Sequence, residues 1–139
     1  MAVHRSNIPF KTKGEIEIID ITKKVARIVH KSQIDNGIVS IFVPGATGAI
    51  TTIEYEDGLV ADLSAAFERI YPKGLEYKHE LRWHDGNGHS HIRASMVGPS
   101  ITVPVADRKM ILGTWQQIIF VELDVRPHDR NIVVTVVGE

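Results

Sequence analysis

The strongest constraint on how this chain folds is a stretch near its C-terminus that has no polar side. Ile118, Ile119, Phe120 and Val121 follow one another without alternation. Extended, such a run is apolar on both faces, so it belongs in a sheet covered on both sides. That sheet needs a cover, and an oligomer would provide one. The strand spans residues 116–124. Further strands are expected at 100–105, 109–112 and 131–137. Asp107-Arg108 is the hairpin turn, and Gly113-Thr114 is a bend or bulge.

The first half reads differently. Residues 15–19 suggest a strand. Asp20 or Thr22 then caps a helix over 23–31, with Val25, Ile28 and Val29 on one face. Asp35-Asn36-Gly37 signals a turn. A buried strand over 38–43 breaks at Pro44-Gly45-Ala46-Thr47-Gly48 and resumes over 49–53. Asp57-Gly58 opens a helix over 59–70, whose apolar stripe is Leu59, Leu63, Ala66, Phe67 and Ile70. Residues 75–88 form a long polar loop. Residues 89–97 suit a short helix between Asn87 as cap and Gly98-Pro99 as stop. Strands in runs, with helices between the early ones, predict an α+β fold of mainly antiparallel sheets with two main helices. No linker or repeat divides residues 1–139, so one domain is expected.

Composition narrows the function. The 139 residues are 43% hydrophobic and 24% charged, enough for one core without staples. With 16 Lys+Arg against 17 Asp+Glu, there is no basic excess to neutralise a nucleic-acid backbone. Cysteine is absent, which excludes disulfides, thiolate metal sites and a Cys nucleophile. No apolar run reaches the roughly 18 residues of a membrane span, and residues 1–13 lack a signal peptide's apolar region. A soluble cytoplasmic protein is the expectation.

Histidine is the first sign of chemistry. Four of the seven, His79, His84, His89 and His91, fall within thirteen positions among Glu80, Asp85 and Asn87. Neutral imidazoles with nearby carboxylates suit a borderline divalent metal or acid/base catalysis. A solvated loop with incidental histidines is the alternative. The Pro44–Gly48 bend offers backbone amides to an anion, or is an ordinary strand break. Glu54, just after a strand, is a ligand, a general base or a surface carboxylate. Gln116 beside Trp115 suits a polar ring edge, or Trp115 is simply core. Arg126 and Arg130 suit a phosphate or carboxylate, or decorate a solvated turn.

Three stretches in combination resemble one family. They are Phe42-Val43-Pro44-Gly45-Ala46-Thr47-Gly48-Ala49-Ile50, Asp85-Gly86-Asn87-Gly88-His89-Ser90-His91-Ile92-Arg93-Ala94-Ser95 and Leu112-Gly113-Thr114-Trp115-Gln116-Gln117-Ile118. The chain is similar, from about residue 15 to 138, to the YjbQ-like family, also called the secondary thiamine-phosphate synthase family. The resemblance implies a compact homotrimer with its sheets packed round a threefold axis. It also implies a weak thiamine-phosphate synthase activity, joining a pyrimidine diphosphate to a thiazole phosphate with release of pyrophosphate. A divalent metal and cationic groups would neutralise the leaving phosphates.

The polar residues matching the family pattern are Thr47, Glu54, Asp62, His79, Asn87, His89, His91, Gln116 and Glu122. A His that many members carry in the Pro44–Gly48 region is Gly45 here. On this expectation His89 is an acid/base or a metal ligand, and His79 and His91 complete the metal site. Glu54 is a catalytic carboxylate and Asn87 orients the loop. Thr47, Gln116, Arg126 and Arg130 contact a small phosphorylated molecule. A non-catalytic homotrimer that binds a metal or phosphometabolite would use the same residues. A structural protein docking a partner through its polar loop is the third reading.

Overall fold

The computed structural model describes residues 1–139. In chain order the elements are β1 (Ala2–Lys11), β2 (Glu17–Asp20), α1 (Thr22–Lys31), β3 (Asn36–Phe42), β4 (Gly48–Ile53) and α2 (Asp57–Ile70). There follow α3 (His79–Trp83), α4 (Gly88–Val97), β5 (Ser100–Ala106), β6 (Lys109–Met110), β7 (Gln117–Glu122) and β8 (Asp129–Gly138). A five-stranded sheet has the order β1-β8-β3-β5-β6, and a three-stranded sheet the order β2-β7-β4. Every pairing is antiparallel.

The two-sided apolar strand is β7, at the centre of the smaller sheet. Its two faces serve two cores. Ile118 and Phe120 pack with Ile50 against the five-stranded sheet's inner residues, among them Val39, Ile41 and Val134, and against Val25 and Val29 of α1. Ile119 and Val121 face the other way, with Ile18 and Ala49, onto Phe67 of α2 and Ala94 of α4. The cover expected from an oligomer is therefore supplied within one chain. The smaller sheet is a middle layer between the larger sheet and two helices.

Strand β1 was not expected from the sequence. It pairs over its full length with β8, from Ala2 opposite Gly138 to Lys11 opposite Asp129. It is an edge strand, carries His4, Arg5, Ser6 and Asn7, and tolerates Pro9 because one side of an edge needs no ladder bond. Its polar composition hides it.

The helices start close to where the sequence places them. Glu56, not Asp57, caps α2, accepting from the N–H groups of Leu59 (2.6 Å) and Gly58 (2.9 Å). Asp20 holds the start of α1 by accepting from Thr22 N–H at 2.9 Å. Of the turn expected at Asp35-Asn36-Gly37, Asn36 and Gly37 are already strand. Gly37 lies so close to β8 that a Cβ there would stand 2.0 Å from the Val137 carbonyl oxygen, and the reversal falls earlier, at Gln33 with φ 60°. The Asp107-Arg108 hairpin is as expected. Both residues have positive φ, 50° and 60°, as a two-residue hairpin turn of the tight type requires.

Candidate functional site

One end of the middle sheet is lined with buried charge. Strand β7 ends in Glu122, and Leu123 and Asp124 follow it. Glu122 is fully buried and Asp124 nearly so. Arg130, at the start of β8, reaches back and donates to both oxygens of Glu122, at 2.7 and 2.5 Å. Thr12 Oγ1 also donates to Glu122 Oε1, at 2.7 Å. A buried carboxylate is tolerable only when paired and fully hydrogen-bonded, and Glu122 is both. Arg130 further donates to Thr47 Oγ1 at 3.0 Å, and Thr47 donates to Asp124 Oδ2 at 3.2 Å.

Asp124 is the hub. It accepts from Asn87 Nδ2 at 3.2 Å, lies 2.6 Å from His128 Nε2, and accepts from the N–H of Val125 at 2.7 Å. Burial alone would raise its pKa. The hydrogen bonds from His128, Asn87, Val125 and Thr47 outweigh burial and hold it below the ordinary aspartate range. His128 keeps about a third of its side chain exposed, at 31%. It is thus an imidazole oriented by a carboxylate and reachable from solvent.

A second such pair stands beside the first. The backbone N–H of Glu15 donates to the Asp124 carbonyl at 2.7 Å, fixing Glu15 next to the hub. Glu15 Oε2 lies 2.7 Å from His89 Nε2, and Oε1 lies 2.5 Å from Lys73 Nζ. Burial pushes this carboxyl up, but the contacts with Lys73 and His89 prevail and leave its pKa below the ordinary glutamate range. Arg93 follows His89 by one helical turn on α4 and is buried. It donates to Tyr71 O at 3.0 Å and to Glu68 Oε2 at 2.8 Å. The His89 side chain is only 1% exposed.

The expected site residues divide. Thr47, Asn87, His89, Glu122 and Arg130 converge as described. Asn87 does so in an unexpected way: it stands at the start of α4, yet its amide turns to Asp124 and makes no cap bond to the helix. Glu54 does not join them. It is exposed beyond the far end of β4, and the carboxylate on His89 is Glu15. Gln116 is also remote. Its side chain bridges Gly113 N and Thr52 Oγ1. Five residue steps of β7 then separate Gln117 from Glu122, about 17 Å of strand. Arg126 and Asp62 are exposed.

The expected metal triad is rearranged. His89 is committed to Glu15. His79 and His91 touch in a tilted arrangement, with ring centroids 4.5 Å apart and planes 51° apart. The side chains whose ligand atoms converge, all within 4.8 Å of one another, are His79, Glu80 and Asp85.

Sequence reading missed Glu15, Arg93, Asp124 and His128. The i,i+4 pairs His89/Arg93 and Asp124/His128 were visible, but Glu15 meets His89 across 74 positions and carries no local signal.

Hollows lie beside these groups and away from them. A small one, about 160 Å³, lies between the Pro44–Gly48 bend and α4, lined by Gly45, Gly48, His91 and Ser95 among others. Gly45, at φ 121°, sits over the remaining Arg130 nitrogen: a Cβ would stand 3.1 Å from Nη1. A larger groove, about 410 Å³, is elsewhere, between β1 and α1, and contains no residue of the hub.

Comparison with known proteins agrees with the fold. Residues 6–139 match the family described as "UPF0047 protein YjbQ-like". A UPF0047 protein of Methanothermobacter thermautotrophicus is 40% identical over 139 residues, covering 100% of this chain and 95% of that one. The UPF0047 protein YugU of Bacillus subtilis is 36% identical over 94% of this chain and 97% of its own. Among solved structures, a YbjQ-like protein of unknown function from Sulfolobus solfataricus P2 superposes with a TM-score of 0.95, at 38% identity and 99% coverage of each chain. A yjbq/upf0047-family protein of Clostridium acetobutylicum gives 0.87 at 33% identity, covering 95% of this chain and 99% of that one. With a family match over nearly its whole length and relatives sharing over a third of their residues with it, the chain belongs to the YjbQ-like UPF0047 family.

Proposed function

We propose that this protein is a transferase acting on a small phosphorylated molecule, with His128 on Asp124 as its acid/base group. The observation that carries this reading is the pairing of a solvent-reachable imidazole with a carboxylate that four hydrogen bonds hold ionised. Such a pair fixes the ring's orientation, as a positioned acid/base group requires.

The reaction the family resemblance implies suits these groups. The thiazole nitrogen's lone pair forms a bond to the pyrimidine's methylene carbon. The bond from that carbon to the diphosphate oxygen breaks, and pyrophosphate leaves with the electron pair. The protein must supply positive charge or a proton to the departing oxygen. Protonated His128 would give the proton, and exposed Arg126, two residues away, would hold the phosphates. His89 and Asn87 then act as positioning groups: Asn87 orients Asp124, and His89 anchors the start of α4 through Glu15.

The second reading is a non-catalytic metal- or phosphometabolite-binding homotrimer. The commitment of Arg130 to Glu122 and the enclosure of His89 favour it. In either reading we propose a cytoplasmic homotrimer. The support is an apolar row on the outer face of the larger sheet, where Val3 (63% exposed) and Ile38 (48%) both stand opposite Val137. Light scattering should then give three times the 15.5 kDa chain mass.

The functional test is pyrophosphate release from a mixed pyrimidine diphosphate and thiazole phosphate. Release above background, needing both compounds and lost in His128→Asn, is the expected result. If thermal stability rises with either compound but no pyrophosphate appears, the binding reading replaces the enzyme. No response to either compound removes this substrate class.

A further inference from the structure

We propose that His79, Glu80 and Asp85 form a binding site for one divalent first-row cation, distinct from the acid/base pair at Asp124. The site closes the 75–88 loop onto the start of α4. One imidazole and two carboxylates converge here, with ligand atoms within 4.8 Å of one another. His79 Nε2 and Asp85 Oδ1 are both shielded from solvent, and neither has a hydrogen-bond partner. A buried polar atom without a partner is uncommon and calls for an explanation, of which a bound water or ion is one.

Two other pairs in the same molecule show how an imidazole meets a carboxylate directly: His128 and Asp124 at 2.6 Å, His89 and Glu15 at 2.7 Å. His79 Nε2 and Asp85 Oδ1 instead stand 3.3 Å apart. That is too long for a charge-assisted hydrogen bond. It does fit two ligands of one ion. With metal–ligand bonds of about 2.0–2.2 Å, neighbouring ligand atoms in tetrahedral or octahedral shells lie about 2.8–3.6 Å apart.

The third ligand is already oriented. Glu80 Oε1 accepts from Gly88 N–H at 2.7 Å, as carboxylate ligands usually do from a supporting donor. Gly88 has no room for a side chain, since a Cβ would lie 2.8 Å from Glu80 Oε2 and 2.5 Å from Tyr77 Cβ. The cation would therefore tie α3 to the first residue of α4, one position before His89. Three protein ligands leave coordination positions free for water or an anion. Mixed imidazole and carboxylate donors favour zinc, manganese or ferrous iron over calcium.

The test is calorimetric titration of the full chain, stripped with chelator, with Zn²⁺ and separately with Mn²⁺, alongside melting temperatures. One site per chain is expected for at least one of the two ions. His79→Ala and the near-isosteric Asp85→Asn should each weaken that binding by about 100-fold or more. His84→Ala, outside the ligand cluster, should leave it within about threefold. The ion should raise the wild-type melting temperature, and Asp85→Asn should abolish that rise while melting cooperatively without metal. No binding of either ion up to about 1 mM overturns the proposal, and leaves an ordered water between His79 and Asp85. So does Asp85→Asn binding like wild type, or His84→Ala losing as much as His79→Ala.

Discussion

Two imidazole–carboxylate pairs sit side by side at one end of the middle sheet, and they differ in access. His89 on Glu15 has 1% of its side chain exposed, whereas His128 on Asp124 has 31%. Both carboxylates are held below their ordinary pKa range, by different donors. Glu15 is pinned by the cation Lys73 as well as by His89. Asp124 is pinned by His128, the amide of Asn87, a backbone N–H and a hydroxyl. The first pair is part of the packing between α4 and the sheet. The second is open to solvent on its imidazole side. Hydrogen-bonding pattern alone would rank the pairs as equals, and burial separates them.

The sharpest way to break this comparison is to remove each ring in turn. His128→Asn should lower turnover by about 10²–10⁴-fold while the melting temperature stays close to wild type. His89→Ala should instead cost about 2–5 kcal/mol of stability, by opening a cavity and leaving Glu15 with one partner fewer. Denaturant unfolding checks it. Glu122→Gln tests the buried floor beneath the Asp124 pair. It removes the counter-charge of buried Arg130, so a loss of about 3–5 kcal/mol is expected. Replacing Gly45, at φ 121° over Arg130, with Ala should cost about 1–3 kcal/mol by thermal melts.

Acid should act on both pairs. Glu15 and Asp124 have folded-state pKa values lowered from those of the unfolded chain. The stability they contribute is therefore complete above the ordinary carboxylate range, about pH 4, and is lost as pH falls through their depressed folded values. Melting temperature should fall across that window, and an Asp124→Asn variant should show a shallower fall. The smallest effect is expected at Glu54→Gln. Exposed and at the far end of β4, it should change stability by less than about 0.5 kcal/mol and leave turnover unaltered.

Much of this architecture was legible in the sequence, because apolar patterning reports burial. The unbroken apolar run Ile118–Val121 announced a strand covered on both faces, and Leu63 and Phe67 of the expected stripe announced α2, although its last member, Ile70, is 63% exposed. Polar residues gave weaker guidance. Strand β1 was missed because an edge strand exposes half its side chains and needs no apolar alternation. The histidine cluster drew attention to His89, Asn87 and His79 but left out their partners. Glu15 reaches His89 only because a backbone bond to Asp124 holds it there, and no local spacing encodes that contact. Gln116 was grouped with the site because it is polar beside a Trp, yet β7 carries it to the opposite end of the sheet.

The most direct test of the account is to measure pyrophosphate release by wild type, His128→Asn and His89→Ala side by side, each scaled to its folded fraction. The account predicts that His128→Asn is folded and inactive, while His89→Ala, per folded molecule, retains most of the wild-type rate. Equal rates in wild type and His128→Asn, or a His89→Ala protein that is fully folded yet inactive, would contradict it by reversing the roles of the two pairs.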